Sequence, residues 1–248
     1  MIYATITFPE SGSRPYFYTN FVATIDGKVA VKDNPAYWPI GSSKDYETLL
    51  ELRARADILI HGKTTALHHP TFASLTLRKF LSLRTRARKN YPLIYLVLSN
   101  KPTKQLFALL ASAPKAIEVM LVTNESARIP AGYSQKVNVI RFGKTKVEIE
   151  LLSRFLHERG IKRVLVEGGP TTLGSFLAAE CLDEIFLTVA PKIFGTKKDI
   201  TPTLVENYFP KPFAVKQFRL VSVKSVGDEV FLRYRREGLS REAEGVAE

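Results

Sequence analysis

Residues 162–172 read Lys-Arg-Val-Leu-Val-Glu-Gly-Gly-Pro-Thr-Thr, and this stretch decides the fold. The apolar residues 164–166 form a short continuous run, which is typical of a strand buried on both faces. A glycine pair at 168–169 follows, and an apolar helical pattern begins at Thr171 or Thr172. This order places bare backbone N–H groups at the positive end of a helix, where an anion binds. An ordinary tight turn has the same pattern, so both interpretations stay open at this point.

The bulk composition is that of a globular protein with a sizeable core. The chain has 248 residues, of which 45% are hydrophobic and 24% charged, and its single cysteine, Cys181, excludes a disulfide within the chain. It has no leader-like segment and no run of 18 apolar residues, so we expect a cytoplasmic protein that does not enter a membrane. We also expect one domain over residues 1–236 and a disordered polar tail over residues 237–248.

The net charge of +12 is unevenly distributed. Residues 58–117 contain ten lysines and arginines and not one aspartate or glutamate. Such asymmetry attracts polyanions through a long-range field. A solvated basic face, a phosphorylated small ligand and a nucleic acid all agree with it. Nucleic acid is the least favoured, because the aromatic residues follow strand patterns and form no recognisable platform for bases.

Strand-like apolar runs alternate with helical patterns along most of the chain. We predict strands at residues 2–8, 16–23, 57–61, 93–98, 117–123, 137–141, 162–166, 184–190, 213–223 and 229–234. We predict helices at residues 43–56, 103–112 and 146–159, besides the one that follows the glycine pair. The alternation predicts an α/β fold, with a mainly parallel central sheet, helices on both faces and a C-terminal antiparallel hairpin.

Three polar turns follow strands of this predicted sheet. They are Gly62-Lys63-Thr64-Thr65, Ser99-Asn100-Lys101 and Gly168-Gly169-Pro170-Thr171-Thr172. Ligands of parallel sheets bind at the carboxyl ends of the strands, so we expect the three turns to lie at one end of the sheet. Together they favour a dinucleotide site more strongly than the glycine pair does alone.

These turns, in this order, resemble those of the dihydrofolate reductase superfamily and, within it, the reductase domain of riboflavin biosynthesis. The similarity covers residues 14–235 and is carried by Arg14-Pro15-Tyr16, Thr24-Ile25-Asp26-Gly27-Lys28-Val29-Ala30, Leu52-Arg53-Ala54-Arg55-Ala56-Asp57, Val166-Glu167-Gly168-Gly169, Leu182-Asp183-Glu184 and Ala190-Pro191-Lys192-Ile193-Phe194-Gly195. The glutamate before the glycine pair and the last of these runs favour the riboflavin branch, and the implied fold is dihydrofolate-reductase-like.

The resemblance implies NADPH as the hydride donor and a homodimer as the assembly. It implies pyrophosphate contacts from Gly62, Thr64 and Thr65, and contacts to the adenosine 2′-phosphate from Ser99, Asn100 and Lys101. It implies contacts to the remaining phosphate oxygens and the nicotinamide ribose from Gly168, Gly169, Thr171 and Thr172. The nicotinamide ring would lie near Val22 and Ala23.

The resemblance also implies a small, phosphorylated substrate and suggests which residues contact it. Asn20 would hydrogen-bond a pyrimidine edge, and dihydrofolate reductases hold the pteridine with a carboxylate at about the place of Asp45. Trp38 lies in the loop before Asp45, and Arg78 would grip a ribose 5-phosphate. Glu167 would either pin the glycine turn or relay a proton. Asn20 and Asp45 also have structural interpretations, as a polar strand-edge residue and as an acid favoured at a helix start.

One segment departs from the riboflavin-branch pattern. Those reductases usually carry Asp-Asp-Pro before Leu-Thr-Val-Arg, whereas this chain has His68-His69-Pro70 and later Leu75-Thr76-Leu77-Arg78. Imidazoles in place of carboxylates leave two substrates open, a ribosylaminopyrimidine phosphate and dihydrofolate. Adjacent histidines without a further Cys/His cluster do not predict a metal site.

Overall fold

The computed structural model describes residues 1–10, 12–31, 39–70, 72, 75, 78–87, 89, 93–133, 135–198, 200–211 and 215–237. Residues 238–248 of the predicted tail lie outside the described residues, as does Trp38, which was expected to contact the substrate.

One sheet organises the described part of the chain. Its strands are β1 (Tyr16–Thr24), β2 (Ile58–Gly62), β3 (Ile94–Leu98), β4 (Val119–Thr123), β5 (Asn138–Arg141), β6 (Arg163–Val166), β7 (Glu184–Ala190), β8 (Phe218–Val226) and β9 (Glu229–Arg236). Their order is β5-β4-β3-β2-β6-β1-β7-β9-β8. Neighbours from β5 to β7 are parallel, while β9 pairs antiparallel with β7 and β8. The predicted α/β fold with its C-terminal hairpin is therefore confirmed.

Helices cover both faces of the sheet. They are α1 (Ser43–Arg53), α2 (Lys63–His68), α3 (Arg78–Arg86), α4 (Lys104–Ala111), α5 (Ile149–Glu158) and α6 (Pro170–Ala178). One core cluster holds Leu50 of α1 and Phe107 of α4, and the other holds Leu152 of α5 and Phe176 of α6. Helix α6 begins at Pro170, before the predicted Thr171, because proline suits a first helical position that needs no N–H partner.

The predicted strand at residues 2–8 is wrong. This segment forms no strand, yet Ile2, Tyr3 and Phe8 are buried in the core. The Tyr3 ring lies 4.8 Å from the Phe186 ring of β7, centre to centre. Strand β1 already has β6 on one side and β7 on the other, so the sheet offers the N-terminal segment no edge beside β1. The apolar alternation in residues 2–8 therefore reflects burial of these side chains in the core and not pairing with another strand.

Three other predicted boundaries shift by a few residues. The penultimate strand runs over Phe218–Val226 instead of residues 213–223, helix α1 ends at Arg53, and helix α5 begins at Ile149. Boundaries are the part of an element that sequence patterns define least.

Part of the basic run over residues 58–117 is neutralised inside the fold. Arg84 of α3 is only 2% exposed, and its Nη1 lies 3.4, 3.4 and 2.5 Å from the carbonyl oxygens of Arg53, Ala54 and Ala56. These carbonyls end helix α1, where the helix dipole favours a cation. Lys89 forms an ion pair with Asp57. These two cations are internal braces, so the run is less of a polyanion-binding face than its composition suggests.

We expect Arg84→Met to lower the free energy of unfolding by roughly 2–4 kcal/mol, because it leaves buried carbonyls without their charged donor. Arg86→Met, an exposed cation of the same helix, is the matched control and is expected to change stability by less than about 0.5 kcal/mol. Urea unfolding of the two variants measures the difference. Equal losses in both would show that Arg84 does not brace the end of α1.

Candidate functional site

The turns after β2 and β6 touch each other at the carboxyl edge of the sheet. Gly62 N donates to the Gly168 carbonyl at 2.6 Å, and a Cβ atom on Gly62 would lie 2.4 Å from Thr172 Oγ1. A Cβ atom on Gly169 would lie 3.4 Å from Thr65 Oγ1. The two turns thus form one surface, with the first turns of α2 and α6 side by side. Thr64 and Thr171 are exposed on it.

Glycine at position 168 is required by the protein itself. Gly168 has a φ of +85°, and a Cβ atom there would lie 2.5 Å from the Phe21 ring. Both the backbone conformation and the ring exclude a side chain. Gly169 has an extended conformation and caps α6. The sequence analysis explained both glycines by the close approach of a ligand to the backbone. At position 168, packing against the Phe21 ring is an additional reason for glycine.

The turn after β3 lies beside this surface, since β3 is the neighbour of β2. Asn100 holds loops together, because its Oδ1 accepts from Val147 N at 2.7 Å and its carbonyl accepts from Asn124 Nδ2 at 2.8 Å. Ser99 is buried and Lys101 is exposed. Lys101 is therefore the residue of this turn whose side chain is best placed to meet a phosphate.

Sequence reasoning missed two further cations at this turn. Lys63 Nζ donates to the Lys101 carbonyl at 3.2 Å, so it reaches from α2 across to the next turn. Arg128 lines an open depression of about 330 Å³ together with Lys101, and its other walls are Asn100, Pro102, Ser126, Ala127 and Thr145. Lys63 is within the predicted turn, whereas nothing in the sequence pattern links Arg128 to it.

The loop that carries Arg128 is held rigidly. Arg141 Nη1 donates to the carbonyls of Asn124, Glu125 and Ala127 at 2.8, 2.9 and 3.0 Å. A cation presented by such a loop loses little conformational entropy when it binds an anion.

A group of polar side chains lies on the sheet face that α1 covers; it consists of Asn20, Asp45 and Thr188 and is called the polar cluster. Asn20 and Val22 are two residues apart on β1 and therefore point to the same face. Val22 pairs with Thr188 of β7, so the Thr188 side chain lies on that face too. Asn20 is 8% exposed, and its Oδ1 has no hydrogen-bond partner among the described residues. Ala23 points to the opposite face of the sheet. A nicotinamide ring on one face of β1 would therefore contact the side chain of Val22 or that of Ala23, but not both.

Asp45 joins the polar cluster from helix α1. Its side chain accepts a hydrogen bond from Thr188, while its buried Oδ1 has no partner in the described part of the chain. Burial raises the pKa of Asp45 to about 6, the hydrogen bond from Thr188 offsets part of this effect, and the nearby Glu229 carboxylate adds to it. Near neutral pH this carboxyl group can therefore either donate or accept a hydrogen bond.

Glu167, the residue before the glycine pair, forms a buried ion pair with Arg53 at the end of α1. Its two oxygens lie 2.6 Å from Arg53 Nε and 2.6 Å from Arg53 Nη2, and Oε2 is also 3.0 Å from His61 Nε2. Burial by itself would raise the pKa of Glu167, but Arg53 and then His61 outweigh it and lower the pKa to about 2. Glu167 is thus ionised at neutral pH, which favours the pinning interpretation over proton relay.

Arg78 and the histidine pair lie in the segment that follows β2. Arg78 is the first residue of α3 and is exposed. His69 follows α2, and burial lowers its pKa, as do the nearby His61, His68 and Arg53. Among the described residues no group of three or more His, Cys, Asp or Glu side chains could hold a metal ion. Within the same residues, no helix has the length and apolar character needed to cross a bilayer.

Solved structures share this fold. A pyrimidine reductase-like protein from Corynebacterium diphtheriae superposes with a TM-score of 0.72 at 20% identity, over 90% of this chain and 92% of that one. A riboflavin biosynthesis reductase from Saccharomyces cerevisiae gives a TM-score of 0.61 at 15% identity, over 92% and 93%. The fold is therefore that of an α/β domain seen in reductases.

Sequence comparison defines the family. The family described as RibD C-terminal domain matches residues 15–232, and the chain belongs to it. The 2,5-diamino-6-ribosylamino-4(3H)-pyrimidinone 5′-phosphate reductase of Archaeoglobus fulgidus is 26% identical over 227 residues, which cover 87% of this chain and 95% of the relative. The reductase of the same name from Methanothermobacter thermautotrophicus is 31% identical over 186 residues, covering 73% and 80%. The predicted family, the reductase domain of riboflavin biosynthesis, is confirmed.

The environment of Asp45 gives a test with a defined sign. The folded state holds the Asp45 proton more tightly than the unfolded chain does, so this group's effect is unfavourable above a pH of about 6 and fades as the pH falls toward about 4, the ordinary value. We therefore expect the melting temperature of Asp45→Asn, relative to the unmodified protein, to be higher at pH 8 than at pH 4.5.

Asp26→Asn is the control, because hydrogen bonds from Thr24, Phe194 and Gly195 lower the pKa of Asp26. The stabilising effect of this group is lost only below a pH of about 4, so the relative melting temperature of Asp26→Asn should be nearly the same at pH 8 and pH 4.5. The same pH trend in both variants would contradict the assignment of a raised pKa to Asp45.

Proposed function

We propose that this protein reduces a ribosylaminopyrimidine 5′-phosphate of the riboflavin pathway, with NADPH as the hydride donor. The observation that carries the proposal is the contact between the glycine-bearing turns after β2 and β6 at the carboxyl edge of the sheet. The polar cluster supports it, because two of its buried oxygens have no partner among the described residues. The names of the archaeal relatives favour the 2,5-diamino-pyrimidinone form of the substrate. We also propose a cytoplasmic location and a single domain over residues 1–236.

The residues present fit a doubly phosphorylated dinucleotide. The amides in the first turns of α2 and α6 suit the pyrophosphate, because they lie at positive helix ends that follow the N-cap glycines Gly62 and Gly169. The Gly62 amide itself is already hydrogen-bonded to the Gly168 carbonyl. Lys101, Lys63 and Arg128 would meet the additional 2′-phosphate, which distinguishes NADPH from NADH. When bound, the cofactor supplies the hydride.

This chain's own side chains would position the substrate. The Asn20 amide and the Asp45 carboxyl group each hold a buried oxygen that has no partner among the described residues, and such oxygens favour a ligand with N–H donors, as a pyrimidine edge provides. Arg78, exposed at the start of α3, suits the 5′-phosphate. Positioning of the two reactants would then be the main contribution of the protein.

A homodimer is also part of the proposal. Strand β8 is an edge strand of the sheet, and Leu220, Val223 and Val226 on it are 48%, 51% and 40% exposed. An exposed apolar edge strand pairs readily with another chain. A second copy of β8 would pair with it around a twofold axis.

The direct test is NADPH oxidation, followed at 340 nm, with two substrates in parallel. We expect turnover of the 2,5-diamino-pyrimidinone 5′-phosphate and none of dihydrofolate. The dephosphorylated pyrimidine serves as the control and should require a much higher concentration. Turnover of dihydrofolate alone would replace the proposal with the alternative that the sequence left open.

Cofactor choice is tested by reversing charge in the predicted 2′-phosphate site. Lys101→Glu and Arg128→Glu should each raise the KM for NADPH by about tenfold or more, because each removes a charge-assisted hydrogen bond, and should leave the KM for NADH nearly unchanged. Lys115→Glu, an exposed charge reversal before β4, is the matched control. Equal losses with both cofactors would remove these residues from the 2′-phosphate site.

A further inference from the structure

A chain of buried polar side chains crosses three adjacent strands beneath the glycine turn. Tyr95 of β3 lies with its hydroxyl 3.0 Å from His61 Nδ1, and His61 of β2 lies with Nε2 3.0 Å from Glu167 Oε2. Tyr95 and His61 are each 1% exposed. The chain ends at the Arg53 ion pair, so it connects the core to the residue immediately before Gly168.

The chemistry of Glu167 fixes the direction of every hydrogen bond in this chain. An ionised carboxylate only accepts, so His61 Nε2 must carry the proton that it shares with Glu167. In a neutral imidazole Nδ1 is then an acceptor, and the Tyr95 hydroxyl must donate to it. A protonated His61 would leave the buried Tyr95 hydroxyl hydrogen without a partner at this site, which is unfavourable.

Charged and titratable groups of neighbouring elements also lie close to this chain. Arg53 of α1 pairs with Glu167, and His68 of α2 and His69, which follows α2, lie nearby.

We propose that His61 and Tyr95 are positioning residues for the proposed reduction: as a neutral Nε2–H imidazole held by Tyr95, His61 orients Glu167 and thereby the Gly168–Gly169 turn for the cofactor. This inference rests on the proposed function, because it assumes that the turn binds NADPH. The link is direct, since Glu167 N also donates to the Ile60 carbonyl at 3.0 Å and Gly62 N to the Gly168 carbonyl. A shift of the Glu167 backbone would therefore disturb both turns.

Three variants test the inference by NADPH titration and steady-state kinetics. His61→Leu should raise the Kd for NADPH about tenfold, by loss of one hydrogen bond to a buried charge, with kcat at saturating cofactor nearly unchanged. His61→Gln retains an N–H donor at about the position of Nε2 and should restore most of the affinity. Tyr95→Phe should have a smaller effect on Kd in the same direction.

Tyr18→Phe is the matched control for Tyr95→Phe. Tyr18 is also fully buried, and its hydroxyl donates to the Leu52 carbonyl at 2.9 Å, so it takes no part in the hydrogen bonds that link Tyr95, His61 and Glu167. It should lower the melting temperature without changing the Kd. Nitrogen-15 NMR of the unmodified protein gives a second measurement that needs no variant, and should show the neutral His61 ring as the Nε2–H tautomer.

The outcomes separate the two claims. An unmodified protein that binds no NADPH overturns the proposed function and this inference with it. If the unmodified protein binds NADPH and His61→Leu folds with unchanged affinity, the inference alone is wrong. A His61 resonance typical of an Nδ1–H or doubly protonated imidazole also overturns the inference while leaving the reductase proposal in place.

Discussion

The buried ion pair between Arg53 and Glu167 is the constraint on which the rest of the site depends. It joins the last turn of α1 to the end of β6 through two contacts of 2.6 Å. A buried charge left without its partner is strongly destabilising, so neither residue can be replaced alone without cost. The pair links two motifs that are far apart in the sequence, because Leu52-Arg53-Ala54 supplies the cation and Val166-Glu167-Gly168-Gly169 supplies the anion.

The ion pair also separates two chemical environments. On the side of the turns, the first residues of α2 and α6 offer backbone amides and the neighbouring loops offer lysine and arginine, which together suit phosphates. On the side of α1, the polar cluster offers Asn20, Asp45 and Thr188, which suit a heterocycle. Under the proposed function, the hydride donor and the heterocyclic acceptor would approach each other near the end of β1.

The sequence was sufficient for the parallel sheet and the position of the three turns, because both depend on local signals. Buried runs such as residues 164–166 and glycine pairs have a direct structural meaning. The sequence pattern was misleading at residues 2–8, where apolar alternation reflects packing against Phe186. Whether such a segment becomes a strand depends on which edges of the sheet the other strands leave free.

Contacts between distant residues account for the rest of what the sequence did not predict. Asn100 was expected to meet a phosphate, but its side chain is bonded to Val147, which is 47 residues away. Nothing near His61 in the sequence indicates that it lies between Tyr95 and Glu167. Arg128 is likewise brought beside Lys101 only by the order of the strands.

The central claim is that the three turns at neighbouring strand ends hold a phosphorylated nicotinamide cofactor. Amide hydrogen exchange in the presence and absence of NADPH tests this most directly. The account predicts that NADPH slows exchange at residues 62–65, 99–101 and 168–172 and leaves the β8–β9 hairpin unchanged. Slowed exchange elsewhere, with these three segments unaffected by bound NADPH, would contradict it.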